Sequence, residues 1–137
     1  MNYKDLDIYQ LAYDLAVRVH EISLTLPKYE LYEQGSQVRR SSKSIKDLIA
    51  EGYGRRRYKQ EFIKFLVYAH ASCDETISQL EMINQLHFKD SSIQDLIDGY
   101  NNLGGKINRF LTYVENKWND YDTVSEIPLK YQITRNP

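Results

Sequence analysis

A short basic run with interleaved tyrosines is the part of this sequence whose residue types most suggest binding chemistry. It reads Tyr53-Gly54-Arg55-Arg56-Arg57-Tyr58-Lys59. Guanidinium groups bind phosphate oxygens in pairs, and tyrosine rings offer nucleobases a surface for stacking. This composition is typical of sites for single-stranded nucleic acid. The alternative is a solvated turn whose cations lie near the negative C-terminal end of a helix.

The basic run belongs to a longer positive segment. Residues 39–64 contain nine Lys or Arg and three acids, a net charge of +6, so the rest of a chain whose total charge is −1 sums to −7. This asymmetry predicts a localised anion-binding face, and the alternative is a solvated helix surface balanced by acids elsewhere in the fold. The cations that we assign to an interface with RNA or DNA are Arg39, Lys43, Lys46, Arg55, Arg56, Arg57 and Lys59.

The helical segment before the basic run has three faces instead of two. At 100° per residue, one arc is small and apolar, and a second carries three of the cations named above. The third arc, here called the polar stripe, consists of Arg40, Ser44, Asp47 and Glu51. Arg40 and Asp47 are too far apart for an i,i+4 pair, so the stripe is either a charge ladder within the helix or a contact with another helix or subunit. We expect Arg40→Ala or Glu51→Ala to lower stability or assembly more than Arg39→Ala.

Histidine spacing argues against an enzyme. Di-iron bundles place a glutamate three residues before a histidine, whereas Val17, Val67 and Asn84 occupy those positions here. His70 and Asp74 could share a metal at i,i+4, but without an evident third ligand a surface hydrogen bond is favoured. The sequence also has no Walker-type phosphate loop. We therefore expect no catalysis, no cofactor, no metal and no small-molecule substrate.

Cysteine content and hydropathy predict a cytoplasmic chain. Cys73 is the only cysteine, which excludes an intrachain disulfide and fits a reducing compartment. The first residues lead directly into charged amphipathic sequence, and no apolar run approaches the ~18 residues of a membrane span. We expect neither secretion nor a membrane partner.

Four segments with helical periodicity must position these residues. The first covers about 5–26 and ends at Pro27, because the residue before proline leaves the α region. The second starts at Gly35 or Ser36 and ends near Gly52, with Gly52 and Gly54 as C-terminal breakers.

The third segment, about 58–87, has the most regular apolar spacing, and the fourth begins at a Ser91/Gln94 capping box and continues to Trp118. Short connections make successive helices antiparallel neighbours. The expected fold is all-α, an antiparallel up-and-down four-helix bundle forming one domain over 1–118. Residues 119–137 lose the helical period and form a C-terminal tail, either an extended arm on a neighbouring copy or disordered.

Three stretches, 37–45, 49–55 and 61–66, resemble the bacterial family called four helix bundle proteins or 23S ribosomal RNA intervening-sequence proteins. Stretches 6–12 and 26–32 are also similar to it, so the resemblance covers roughly 5–86. Its most specific part is Ile-Ala-Glu-Gly at 49–52 with the preceding Arg-Arg at 39–40. The family usually has asparagine where Leu48 stands, and a Gly-Ser pair where Ala71-Ser72 stands.

The resemblance implies a homo-oligomer, a pentameric ring around a central channel. It also implies an accessory role in which the protein binds RNA or DNA without catalysis. The alternative is a homo-oligomeric scaffold for protein–protein interaction that binds no nucleic acid. Salt dependence distinguishes the two, because phosphate contacts release counterions.

Overall fold

Helices make up almost all of the regular structure. The computed structural model describes residues 1–89, 91–119 and 127–134. In these residues the helices are α1 (Asp7–Ser23), the single turn α2 (Lys28–Leu31), α3 (Gln34–Gly54), α4 (Lys59–Ile83) and α5 (Ser91–Lys117). The four long helices confirm the four predicted segments.

The first helix is shorter than the predicted 5–26 because local hydrogen bonds decide both of its ends. At the N-terminus the Asn2 side chain caps a separate 3-10 turn, Tyr3–Asp5, and the chain is extended for one residue before α1 begins. At the C-terminus the Leu26 N–H donates to the Ser23 carbonyl at 3.2 Å, a tighter turn than an α-helix makes. Pro27 then directs the chain into α2.

Gly52 lies inside α3, so its assignment as a C-terminal breaker was wrong. A Cβ atom at Gly52 would lie 3.0 Å from the Cβ of Phe65, whereas one at Gly54 would meet nothing within 4 Å. The absence of a side chain at Gly52 therefore lets the backbones of α3 and α4 approach each other. α3 ends two residues later than predicted.

α4 ends earlier than predicted. After Ile83 the chain makes a π-helical turn, Asn84–Phe88, in which the Lys89 N–H donates to the Asn84 carbonyl at 3.0 Å. Lys89 has a positive φ of 59°, a left-handed conformation that stops the helix. This turn redirects the chain toward α5.

The bundle has a square arrangement. α1 packs against α3 and α5, and α4 packs against the same two helices, so α1 and α4 lie at diagonal corners. The all-α bundle is confirmed. The predicted 4-3 series of α4 is buried throughout: Phe62, Leu66, Ala69, Cys73, Thr76, Leu80 and Ile83. Each large apolar side chain in this core contributes about 1.5–3 kcal/mol through burial. Among the described helices, none combines the length and hydropathy of a membrane span.

Part of the C-terminal tail packs on its own bundle. The Ile133 N–H donates to the Asp5 carbonyl at 2.8 Å, and Ile127 is buried. The Tyr131 ring lies 5.1 Å from the rings of both Phe110 and Tyr113. Residues 127–134 therefore adopt neither of the two arrangements expected for the tail; its remaining residues, apart from 119, lie outside the described part of the chain.

Candidate nucleic-acid interface

The turn between α3 and α4 together with the first residue of α4, residues 55–59, is here called the basic turn. Backbone hydrogen bonds fix its course: the Arg55 N–H donates to the Glu51 carbonyl at 3.0 Å, and the Tyr58 N–H donates to the Arg55 carbonyl at 3.0 Å. α4 then begins at Lys59. The hydroxyl of Tyr53 donates to the Met1 carbonyl at 3.3 Å, so the turn lies at the end of the bundle where the chain begins.

Arg55 is paired with two carboxylates. Its guanidinium donates to Glu51 and to Glu61, each at 3.0 Å, and lies 4.9 Å from the centre of the Phe65 ring. The side chain is about half exposed, so water screens these pairs. Because two acids already face this cation, it adds little to the attraction for an incoming phosphate.

Arg56 completes the end of α3. Its guanidinium stacks 3.9 Å from the centre of the Tyr53 ring and donates to the Tyr53 carbonyl at 2.9 Å, which satisfies a helix C-terminal acceptor. The Arg56 carbonyl in turn accepts a hydrogen bond of 2.7 Å from the indole N–H of Trp118. This residue therefore anchors the turn to Trp118, the residue that follows α5, and its role within the protomer is structural.

Arg57 and Tyr58 are the outward-facing part of the turn. Both are exposed, Tyr58 by 48%, and the Arg57 guanidinium lies 5.9 Å from the centre of the Tyr58 ring. Lys59, the first residue of α4, is half-buried. A ring beside a cation at the surface is the arrangement that lets a base stack while its phosphate is held.

A second cation–aromatic group continues along α4. The Lys64 ammonium lies 5.7 Å from the centre of the Phe65 ring and 6.0 Å from that of Tyr68, and the two rings contact edge to face at 5.8 Å. Tyr68 is 46% exposed. The sequence analysis did not select these three residues. Their signal was the i,i+4 spacing of Lys64 and Tyr68 on one helix face.

We call the residues Arg57, Tyr58, Lys64, Phe65 and Tyr68 the cation–aromatic strip. Arg55 joins its two ends, since its guanidinium belongs to the turn and lies over the Phe65 ring. The strip thus runs from the basic turn along the first three turns of α4.

Arg39, Lys43 and Lys46 lie away from the basic turn. Arg39 is half-buried and donates to the Ser23 hydroxyl and to the Leu31 carbonyl, both at 2.9 Å, so it ties α3 to α1 and α2. Nine residues separate Lys46 from the turn, which is about 14 Å along a helix. The predicted cations therefore form two separate surfaces, one at the basic turn and one at Lys43 and Lys46, and Arg39 is an internal link between helices.

Lys43 and Lys46 line a groove between α1 and α3 with a volume of about 270 Å³. The Lys43 ammonium lies 3.0 Å from Nδ1 of His20, within hydrogen-bond distance. Lys46 pairs with Asp47 at 2.7 Å, and this hydrogen bond raises the pKa of Lys46.

The polar stripe is divided among several contacts. Asp47 pairs with its neighbour Lys46, and Glu51 pairs with Arg55 just past the end of α3, so neither acid pairs with another residue of the stripe. Arg40 and Ser44 instead line a groove of about 270 Å³ between α3 and α4. Arg40 and Glu51 are exposed. From the sequence we expect Arg40→Ala to lower stability more than Arg39→Ala. The contacts favour the reverse for the stability of the protomer, because Arg39 has internal partners and Arg40 is at the surface.

The floor of this second groove is a buried polar contact. The Ser41 hydroxyl donates to the Gln79 side-chain oxygen at 2.6 Å and accepts from the Thr76 hydroxyl at 2.9 Å. These bonds satisfy polar groups that α3 and α4 would otherwise bury unpaired.

The groups that could do chemistry have structural partners. Cys73 is fully buried, its thiol donates to the Tyr100 carbonyl at 3.2 Å, and burial raises its pKa to about 12, which disfavours a reactive thiolate. His70 lies 3.7 Å from Asp74 at the surface. In the described residues no three His, Cys, Asp or Glu side chains are grouped as a metal site would require.

The fold defines a class of protein: an all-α bundle of four long helices. The chain belongs to the family described as 23S rRNA-intervening sequence protein, whose model matches residues 4–109. The match includes the basic turn and the whole of α4, and it confirms the resemblance seen in the sequence. The family's description names no catalytic activity. No match to a curated protein or to a solved structure was found.

Proposed function

We propose that this chain is a non-enzymatic, cytoplasmic accessory protein that binds single-stranded RNA or DNA through the basic turn and the cation–aromatic strip. The observation that carries the proposal is the pairing of exposed rings with cations. Tyr58 has Arg57 at 5.9 Å, and Tyr68 has Lys64 at 6.0 Å. Each pair offers a stacking surface and a phosphate contact, the two components of sequence-tolerant single-strand binding.

The contacts that each cation makes within the protomer decide which of them are the better candidates for contacting the ligand. Arg55 and Arg56 have partners within the protomer, so replacing them would disturb the turn as well as remove charge. Arg57 and Lys64 are exposed, and the ion pair of Lys64 with Glu61 is long, at 3.7 Å, and screened by water, so these two cations are the better test of phosphate binding. The matched control is a pair of exposed cations remote from the turn, Arg18 on α1 and Lys28 on α2.

The experiment measures binding of labelled single-stranded RNA and DNA by fluorescence anisotropy at several salt concentrations. For the parent we expect log Kobs to fall linearly with log salt. In the R57A/K64A variant the slope should flatten by about 1.4, because each phosphate contact in a single strand contributes about 0.7. The R18A/K28A control should bind like the parent.

The rings are tested separately. Y58A/Y68A should weaken binding at all salt concentrations with little change in slope, since stacking contributes about 1–3 kcal/mol per base without releasing counterions. If the parent does not bind at low salt, or if R57A/K64A matches the control, the nucleic-acid function is wrong.

We also propose that the protein is a homo-oligomer, with a pentamer as the expectation from the family resemblance. Apolar side chains left exposed on two of the long helices favour assembly: Tyr13 and Val17 on α1 with Leu24 directly after it, and Val67 and Met82 on α4. A monomeric mass by light scattering at micromolar concentration would contradict it. An oligomer that binds no nucleic acid would favour the scaffold function.

A further inference from the structure

The groove between α3 and α4 is a polar site that belongs to neither the basic turn nor the cation–aromatic strip. Its volume is about 270 Å³, enough for one small planar group but less than a drug-sized ligand needs. Every side chain that lines it has a polar end: Gln37, Arg40, Ser41, Ser44, Glu75 and Gln79. We call it the α3–α4 groove.

The two walls of the α3–α4 groove carry opposite charges. Arg40 on α3 is exposed, and among the described residues its guanidinium has no hydrogen-bond or ion-pair partner. Glu75 on α4 is also exposed. A guanidinium is a rigid fork of donors, and a carboxylate is a pair of acceptors. A ligand between the two walls therefore meets donors on one side and acceptors on the other.

Gln79 holds the Glu75 carboxylate in place. Its side-chain N–H donates to Oε1 of Glu75 at 3.2 Å, and its side-chain oxygen accepts from the Ser41 hydroxyl at 2.6 Å. Ser41 is buried, and the fully buried Thr76 hydroxyl lies 2.9 Å from it. Because these bonds lead from the interior to Glu75, the carboxylate is oriented before a ligand arrives, which lowers the entropy lost on binding.

The α3–α4 groove continues the face of α4 that carries the cation–aromatic strip. Phe65, Tyr68, Ser72, Glu75 and Gln79 recur at intervals of three and four residues, so they share one side of the helix. Seven residues separate Tyr68 from Glu75, about 10 Å along a helix. Stacked nucleotides are about 3.4 Å apart, so a strand with a base on Tyr68 reaches the groove within about three nucleotides.

Guanine is the base whose edges match both walls. Its O6 and N7 are adjacent acceptors, and an arginine that donates to both is the commonest specific contact to a base. Its N1–H and N2–H₂ are adjacent donors on another edge, and a carboxylate can accept from both. Uracil has one N–H between two acceptors, and adenine and cytosine have no such pair of N–H-bearing ring and amino nitrogens. Unpaired bases expose these edges in a single strand.

We propose that the α3–α4 groove is a guanine pocket for the single strand that lies on the cation–aromatic strip, with Arg40 at O6 and N7 and Glu75 at N1–H and N2–H₂. The inference rests on the proposed nucleic-acid binding and adds a base preference to it. Since the groove carries one cation and one acid, it selects a base and adds little general attraction for phosphate.

The first test compares an oligouridine with the same strand carrying one central guanosine, by fluorescence anisotropy at one low salt concentration. The strip can bind both strands, but only the guanosine strand fills the groove with its matching base. We expect the parent to bind the guanosine strand about tenfold more tightly, which is the discrimination of one good bidentate contact.

Two modified bases assign the walls. Inosine lacks the N2 amino group, and 7-deazaguanosine lacks N7. E75A should bind guanosine and inosine strands alike, and R40A should bind guanosine and 7-deazaguanosine strands alike, whereas the parent prefers guanosine in both comparisons. The controls are E81A, an exposed acid of α4 outside the groove, and R18A on α1; both should keep the preferences of the parent. All four residues are exposed, so helicity by circular dichroism should be unchanged.

The outcomes separate the pocket from the function on which it rests. Equal binding of the oligouridine and the guanosine strand by the parent overturns the guanine pocket and leaves binding along the strip standing. A preference for guanosine that survives in both E75A and R40A also overturns it. Guanosine monophosphate that binds the parent as tightly as the guanosine strand would assign the groove to a free nucleotide and overturn its connection with the strip. A parent that binds neither strand overturns the proposed function and the pocket together.

Discussion

Arg39 and Arg40 are adjacent arginines with opposite structural situations, and alanine substitutions should separate them clearly. The Arg39 guanidinium donates to the Ser23 hydroxyl and the Leu31 carbonyl, each at 2.9 Å, and so joins three helices. Arg40 is exposed at the edge of the groove between α3 and α4. R39A should destabilise the protein, and R40A should leave the stability of the protomer nearly unchanged.

The magnitude follows from the two hydrogen bonds. A hydrogen bond from a charged donor contributes about 1.5–3 kcal/mol when buried, and partial exposure of Arg39 reduces this because water can replace the lost partner. We expect a loss of about 2 kcal/mol for the pair. For a chain of 137 residues this corresponds to a fall in Tm of roughly 7 °C. R40A should change the free energy of unfolding by less than about 0.5 kcal/mol.

Gly35 supplies an internal check on this reasoning. A Cβ atom at Gly35 would lie 2.9 Å from Nη1 of Arg39, so G35A pushes directly on the guanidinium. G35A should therefore cost less in the R39A background than in the parent, a coupling that a double-mutant cycle measures. Additive effects of G35A and R39A would contradict the contact.

The assay is urea unfolding followed by circular dichroism at two protein concentrations. A loss from the protomer lowers the midpoint equally at both concentrations, whereas a loss of assembly depends on concentration. If R40A is destabilised as much as R39A at both concentrations, the assignment of Arg39 as the internal link is wrong.

Two further predictions concern the interior. G52A should lower the free energy of unfolding in urea by about 1–3 kcal/mol, because its methyl group would lie 3.0 Å from the Cβ of Phe65. G54A, whose methyl group would meet nothing within 4 Å, should be neutral or slightly stabilising. Equal effects of the two substitutions would contradict the close approach of α3 and α4. Burial raises the pKa of Cys73 from 9.0 to about 12, so its contribution to stability is complete below pH 9 and is lost above it as the unfolded thiol ionises. Between pH 9.5 and 10.5 the parent should lose about 1 kcal/mol more than C73A, and identical slopes for the two proteins would contradict the shift.

The long helices could be predicted because the apolar residues recur in the sequence at the spacing of the helix face that the bundle buries. The 4-3 series from Phe62 to Ile83 in α4 is buried at every position. The ends of the helices were predicted less well, because they depend on single contacts. Gly52 reads as a breaker from its residue type, but its role depends on Phe65, which a later helix places beside it.

From the sequence, the candidate site was predicted as a set of cations. In the structure these cations differ in the groups that they contact. Charge counts treat Arg39, Arg55 and Arg57 alike. Arg39 donates hydrogen bonds to groups of α1 and α2, and Arg55 forms ion pairs with two acids, one of them on α4. The Glu51–Arg55 pair has the readable i,i+4 spacing, but the contacts of Arg39 with Ser23 and Leu31 and of Arg55 with Glu61 cross from one helix or turn to another and could not be read from the local pattern. The helical spacing of Lys64 and Tyr68 was readable and would have extended the predicted surface along α4.

The basic turn has two roles, to hold the end of the bundle together and to present a cation beside a ring, and different residues of the turn serve them. The Arg56 guanidinium stacks on the Tyr53 ring, and the Arg56 carbonyl accepts from the indole N–H of Trp118, which holds the residue after α5 against the turn. Once that anchor is in place, the next residue has to leave the bundle, which is why Arg57 and Tyr58 are exposed. Consecutive arginines therefore hold the end of the bundle together and present a cation beside a ring. On this argument, loss of binding in R57A/K64A with unchanged stability separates the two roles, whereas R56A should lower both.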